Sequence, residues 1–204
     1  MKKYVLAYSM NPGLTVFTPE DLQALTHINL AFGLVKEGRL DIGQLTNIGL
    51  CEKFRDWNPD IKIILSVGGW GAGGFSTMAM TTEGRRTFAR SCQEAVEKYG
   101  LDGIDIDWEY PCSDQADIDS DPRDRENFTL LLSELREVLG PRSLSIAAGA
   151  GEYFIEGTEM DKVAGLVDYV QIMTYDLRNG FTREAGPHAA LRAGRGAHSG
   201  LNTV

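Results

Sequence analysis

The chain has 204 residues, 43% hydrophobic and 24% charged, with a formal net charge of −9. This is ordinary globular composition with enough apolar material for one core, and the acidic balance argues against nucleic acid and anionic membrane as partners. Cys51, Cys92 and Cys112 fit neither a metal-ligand spacing nor a disulfide framework and read as ordinary thiols.

The first residues carry two lysines, but the apolar run behind them is shorter than the roughly 7–15 residues of a signal peptide. No apolar run approaches the about 18 residues of a membrane span. The compartment stays open: intracellular, or the mature part of an exported protein. From there the pattern alternates. KYVLAYS (3–9), HINLAFG (27–33), IKIILSVGG (61–69), LDGIDIDW (101–108), SLSIAAGA (143–150) and VDYVQIMTYD (167–176) are short apolar runs of the kind found in strands buried on both faces. Between them lie helical patterns. TPEDLQAL (18–25) opens on Thr18 and Pro19, a cap followed by the proline that suits a first turn. Residues 42–57, 81–100, 122–140 and 157–166 supply four more, two of them stopping at Gly100 and Gly140, as helix ends favour.

Strand followed by helix, six times with the last helix absent, implies parallel βαβ units. A doubly wound sheet would show a glycine-rich phosphate loop after its first strand; SMNPGLTVFTPE (9–20) holds none. A (β/α)8 barrel instead places working residues at strand C-terminal ends. The polar residues here lie at such ends: Tyr8, Ser66, Trp70, the acids around 105–109, Tyr175 and Asp176. The fold expected is therefore α/β, a (β/α)8 barrel. Such barrels typically take about 250 residues. The chain is expected to be one partial barrel domain over 1–204, truncated after strand six, with strands seven and eight not in this text and 177–204 a glycine-rich loop. Were these 204 residues the whole molecule, strands one and six would be open edges.

The stretch LDGIDIDWEYP (101–111) holds Asp102, Asp105, Asp107 and Glu109. Strand side chains alternate, so Asp105, Asp107 and Glu109 share one face, and Ile104, Ile106 and Trp108 the other. The apolar set suits the helix layer, and the acids then line the barrel interior with Glu109 uppermost. Carboxyls stacked this closely cannot all ionise cheaply, so at least one holds a proton near neutral pH. The expectation places that proton on Glu109, making it a general acid. An internal ion-pair network and a hard-cation site are the alternatives, although the strand has no Lys or Arg. Asp117, Asp119 and Asp121 resemble a calcium loop, but Pro122 and Phe128 stand where that motif needs Gly and Glu; a solvated loop is expected. His27, His188 and His198 show no triad or ligand pairing.

Taken with its neighbours, the acidic strand resembles a known family. D-G-x-D-x-D-x-E, filled by Asp102, Gly103, Asp105, Asp107 and Glu109, is similar to the active-site signature of family 18 glycoside hydrolases, the chitinases and their relatives. SVGGW (66–70), QIMTYD (171–176), NLAFG (29–33) and YVLAYS (4–9) resemble the family's other strand motifs in the same order. The resemblance implies cleavage of β-1,4 links next to N-acetylglucosamine with retention, the substrate's acetamide being the nucleophile, an exception to the two-carboxylate scheme. By it, Glu109 protonates the leaving oxygen, Asp107 orients the acetamide, and Asp105 shares a proton with Asp107. Tyr175 bonds the acetamide carbonyl, Met173 packs beneath it, and Asp176 contacts the sugar. Tyr8 and Trp70 lie near sugar rings; Phe32, Ser66 and Gly69 complete the substrate-binding set, each also readable as a core or packing residue. The implied ligands are chitin or N-acetylglucosamine oligosaccharides, with no metal and no cofactor. Two further readings stay open: a hydrolase of peptidoglycan or N-glycan linkages, and a non-catalytic chitin-binding lectin of the same fold.

Overall fold

The computed structural model describes residues 3–180, 182, 185–192, 202 and 203. Much of the expected tail loop, His198 included, lies outside the described residues. In chain order the elements are β1 (Leu6–Met10), α1 (Pro19–Ala24), β2 (His27–Lys36), β3 (Arg39–Asp41), α2 (Leu50–Trp57), β4 (Lys62–Gly68) and α3 (Phe75–Ala79). There follow α4 (Thr82–Tyr99), β5 (Gly103–Asp107), α5 (Asp124–Leu139), β6 (Ser143–Gly149), α6 (Glu152–Glu156), α7 (Met160–Val163) and β7 (Tyr169–Met173). A 3-10 turn, Asn11–Thr15, follows β1.

Strands β1-β2-β4-β5-β6-β7 pair in that order, every pair parallel. The sheet curls. Tyr4, just before β1, stacks on Tyr169 of β7 with ring centroids 5.9 Å apart, and Asn29 of β2 donates to Gln171 of β7 across the interior at 3.2 Å. Contacts between the two ends of the strand order require a curved sheet. This is the plan of the first six strands of a (β/α)8 barrel, as the alternating pattern predicted. Among the described residues no helix is long and apolar enough to cross a membrane.

The helix layer receives the apolar face of β5. Ile104, Ile106 and Trp108 are buried. The Trp108 ring stacks on Phe75 of α3 at 5.2 Å and meets the Phe128 edge of α5 at 5.9 Å, the kind of offset and edge contacts aromatic rings prefer. That packing settles which face of β5 points inward. Below β5, Asp102 belongs to neither face of the interior: it pairs with Arg55 of α2 at 2.9 Å and Lys62 of β4 at 3.0 Å, and accepts from the Ile63 amide. Burial opposes its ionisation, but the Ile63 amide, Lys62 and Arg55 hold its carboxyl below the usual range. The ion-pair reading thus holds for Asp102, with partners that other elements supply.

The caps explain which helices form where expected. Thr18 and Asp21 make a capping box on α1, Thr81 caps α4 through the Gly84 amide, and Gly100 closes it at φ 60°. The helix expected over 42–57 begins only at Leu50. Asn47 is bound instead by Asn11, its amide N–H to Asn11 Oδ1 at 2.8 Å and its side chain to Asn11 O at 3.0 Å. Asparagine bonds of this kind compete with helix. The helix expected over 157–166 shrinks to Met160–Val163. Three elements escaped the sequence reading: α3, α6 and the hairpin β2–β3. In the hairpin Glu37 and Gly38 both have positive φ (52° and 71°) between the paired Lys36 and Arg39, the backbone a tight two-residue turn requires.

Candidate active site

The interior of the sheet carries a polar layer, one side chain per strand. Ser66, Asp105 and Ser145 stand opposite one another in register on β4, β5 and β6, while Tyr8, Asn29 and Gln171 come from β1, β2 and β7. Asp105 is wholly buried and sits at the centre. Its Oδ2 accepts from Ser66 Oγ at 2.7 Å and Tyr8 OH at 2.8 Å; its Oδ1 accepts from Ser145 Oγ at 2.7 Å and Gln171 Nε2 at 2.8 Å. A carboxylate offers about four such positions, and all are taken.

One expectation changes here. Ser66, expected to touch substrate, is fully buried and spends its hydroxyl on Asp105; it lies too deep to meet a ligand at the mouth. Asp105, expected to share a proton with Asp107, bonds four other groups, while Asp107 Oδ1 is buried without a hydrogen-bond partner. Tyr8 keeps part of its ring open at the mouth but points its hydroxyl down to Asp105.

One step up, Asp107 is 4% exposed. Burial, and then the charges of Glu109 and Asp105, push its carboxyl up to about 8. Glu109 follows two residues later, past the end of β5 and only partly buried. Its carboxyl is also raised, first by burial and then by Asp176, against a hydrogen bond from Tyr110 that lowers it. Burial raises the Asp105 carboxyl too, against its four hydrogen bonds, so the proton expected on Glu109 from crowding alone is favoured at all three carboxyls, and desolvation is the largest cause at each. Among the described residues Glu109 forms no ion pair.

Glycines set the backbone around the acids. Gly68 ends β4 at φ +124°, where an added Cβ would collide with the Asp107 carbonyl. Gly69, at φ +94°, donates its amide to that same carbonyl at 2.9 Å, and an added Cβ would press on the Phe32 ring at 3.1 Å. Gly69 thus fixes Asp107 through the backbone, and Phe32 packs half-buried between it and Tyr8, whose ring centroid is 6.4 Å away. The peptide bonds Ala31–Phe32 and Glu109–Tyr110 are cis.

The rim is aromatic. Trp70 is half exposed and meets Tyr110 edge-on at 6.3 Å; Tyr110 in turn meets Tyr153 of α6 at 5.0 Å. On the far side, Met173 ends β7 on the face that carries Gln171. Beyond it, half-exposed Tyr175 has its hydroxyl pushed up by burial and by the charges of Asp107, Glu109 and Asp176. Tyr175 therefore shares one electrostatic cluster with the acids. Asp176, at φ 51°, has its Oδ1 3.1 Å from His188 Nδ1, and its amide N–H donates to the same nitrogen at 3.2 Å, a pairing the sequence reading missed.

The other acid cluster is structural. Asp119 takes the Gly74 amide at 2.5 Å and the Thr77 amide and hydroxyl at 2.7 and 2.8 Å, tying down the start of α3, and Asp121 is held by Arg123. Among the described residues no group of three or more His, Cys, Asp or Glu is placed to hold a metal ion. Of the thiols, burial pushes Cys51 up to about 11 and Cys92 further, and Cys112 is raised as well. All three are free, and none has the depressed pKa of a reactive thiol.

Ser145, Gln171, Asn29, Tyr110 and Tyr153 are site residues that sequence reasoning passed over. A signal existed for the first three: each is a polar residue flanked on both sides by apolar ones within its strand.

The curled parallel sheet opens its layered acid stack on an aromatic rim at the C-terminal ends of the strands, where barrel folds carry their working residues. The family model for glycosyl hydrolases family 18 matches residues 4–204, and the chain belongs to that family. It is 42% identical to chitinase A1 of Niallia circulans over 155 residues, 71% of this chain and 22% of that protein. Among solved structures it is similar to a family 18 N-acetylglucosaminidase from Paenibacillus barengoltzii, with TM-score 0.92 and 48% identity over 95% of this chain and 60% of that one. The chitinase domain of the spore coat protein CotE from Clostridium difficile matches with TM-score 0.89 and 36% identity, over 98% of this chain and 59% of that one. The chain thus spans about three fifths of the solved relatives and under a quarter of the curated one.

Proposed function

We propose that the protein hydrolyses β-1,4 linkages next to N-acetylglucosamine in chitin or chitooligosaccharides. The observation that carries this reading is Glu109: a carboxyl raised by burial, free of ion pairs among the described residues, at the mouth directly above a second carboxyl raised to about 8. An acid so placed can protonate a leaving glycosidic oxygen. Asp107, nearly buried with one oxygen unpartnered, has a free acceptor for an acetamide N–H. The substrate's own acetamide then serves as nucleophile with retention, as in the known departures from the two-carboxylate mechanism. Tyr175 bonds the acetamide carbonyl, Met173 packs beneath it, and Asp176 contacts the sugar. Trp70 offers a ring face to a neutral sugar, which presents C–H faces and hydroxyls.

The test is a chitotriose bearing a fluorescent leaving group, given to the wild-type protein and to Glu109→Gln. Turnover that drops by about a hundredfold or more in the variant supports the reading. Binding without turnover in both proteins makes the chain a lectin. Inertness toward chitin sugars with release from muropeptides or N-glycans moves the substrate to another N-acetylglucosamine linkage. Activity should also fall on the alkaline side as Glu109 loses its proton; a flat profile from about pH 4 to pH 9 would remove Glu109 as the acid.

A further inference from the structure

β5 ends at Asp107, so Glu109 stands two residues beyond the sheet and the ladder does not reach it. The chain that leaves Glu109 has to be held by other means. Pro111 has no N–H to give, so the first backbone donor after Tyr110 is the Cys112 amide. It donates to Oδ2 of Asp124, the first residue of α5, at 3.4 Å, and the Asp121 amide donates to the same oxygen at 2.8 Å. Asp124 Oδ1 accepts from Ser76 Oγ of α3 at 2.7 Å. Asp124 is wholly buried, at a helix start where the peptide dipoles favour a carboxylate. One buried carboxyl thus joins the turn after Glu109 to two helices. The turn is confined on its other side as well. An added Cβ at Gly157 would lie 2.8 Å from the Pro111 carbonyl oxygen, so the end of α6 packs directly on it. Cys112 has φ 63°, a left-handed conformation that a residue with a side chain keeps only where its surroundings fix it.

We propose that Asp124 is a positioning residue for Glu109: its two oxygens accept from the Cys112 and Asp121 amides and from Ser76, clamp the turn that follows the acid, and so fix where the Glu109 carboxyl stands at the mouth. The acceptors do this, and the charge is not required. An asparagine at 124 keeps an oxygen for the two amides and turns its NH2 to Ser76 Oγ, which can accept as well as donate. An alanine leaves two amides and a buried hydroxyl without that acceptor, a loss the protein interior does not make good. The kinetic consequence rests on the hydrolase reading; the clamp does not.

The experiment pairs amide exchange by NMR with kinetics, in wild type, Asp124→Ala and Asp124→Asn. In wild type the Cys112 amide should exchange about a hundredfold or more slower than an unprotected one. An unprotected rate there overturns the inference even if Asp124→Ala does not fold. Asp124→Ala should speed exchange over residues 110–113 and leave β5 unchanged; an unaltered rate in the turn also overturns it. For the kinetics, two chitooligosaccharide substrates are compared. One releases a sugar hydroxyl and the other a fluorescent phenol, a better leaving group that needs less help from an acid. Asp124→Ala should lower kcat about tenfold on the first, with KM changed less than about threefold, and lower it less than about threefold on the second. Asp124→Asn should stay within about threefold of wild type on both. Equal losses on the two substrates are a merely structural effect and overturn the inference, as does an asparagine variant no better than the alanine one. Absence of hydrolysis in wild type would remove the functional reading and leave the exchange rates to decide the clamp.

Discussion

Asp107 illustrates how one residue ties chemistry to stability. Its folded carboxyl is pushed up to about 8 by burial, Glu109 and Asp105, against about 3.9 in an unfolded chain. Below about pH 4 both states hold the proton. As pH rises toward 8 the unfolded state releases it while the folded state must keep it, so folding loses about 1.4 kcal/mol per pH unit through that window. Asp107→Asn removes the ionisation. Its unfolding midpoint should match wild type near pH 4 and exceed it by a growing margin up to pH 8, with activity lost throughout. Thermal unfolding across pH checks this; a constant difference would mean that Asp107 ionises normally. The stability lost above pH 4 is consistent with a group selected for its role at the mouth.

At the level of elements, the end of β4 and the start of α3 hold the site in place. Gly68 lets β4 pass against the Asp107 carbonyl with positive φ. Gly68→Ala combines a backbone collision with a left-handed strain; a loss of about 3 kcal/mol in chemical denaturation and a fall in activity at Asp107 are expected together. Asp119 ties the Gly74 and Thr77 amides of α3. Asp119→Ala should cost about 1–2 kcal/mol, the scale of a lost helix cap. Calcium should leave the wild-type unfolding temperature unchanged, whereas a calcium-dependent rise would restore the metal-loop alternative. The cap also explains why α3 was missed: FSTMA (75–79) has no local start signal, and its cap arrives from 119, across a loop.

Over the whole molecule, the strands differ in how deeply they are packed. β4 and β5 are buried on both faces, while β7 has no fully buried residue. Amide exchange should therefore be slowest in β4 and β5 and fastest in β7, since local opening follows the sparsest packing. Tyr169 joins Tyr4 and His27 in a ring cluster between the two ends of the strand order. Tyr169→Ala should speed exchange in β1 and β7 and leave β5 unchanged. Uniform acceleration would mean that the sheet opens as one unit.

The sequence by itself determined the barrel plan, the inward face of β5 and the candidate acid, because each is a short-range pattern. Alternation places Asp105, Asp107 and Glu109 on one face; apolar runs and caps mark strands and helices. It also showed Tyr175, Trp70 and Met173 at strand ends. Only the tertiary structure decided what those acids experience. Tyr8, Ser66, Ser145 and Gln171 converge on Asp105 from four strands as many as 97 residues away, and nothing local in LDGIDIDWEYP announces them. Likewise Asp102 was sorted from the stack by Arg55 and Lys62, and the proton by depth of burial. Periodicity is written along the chain; desolvation and hydrogen-bond partners exist only once the sheet has curled and brought distant strands around one carboxylate.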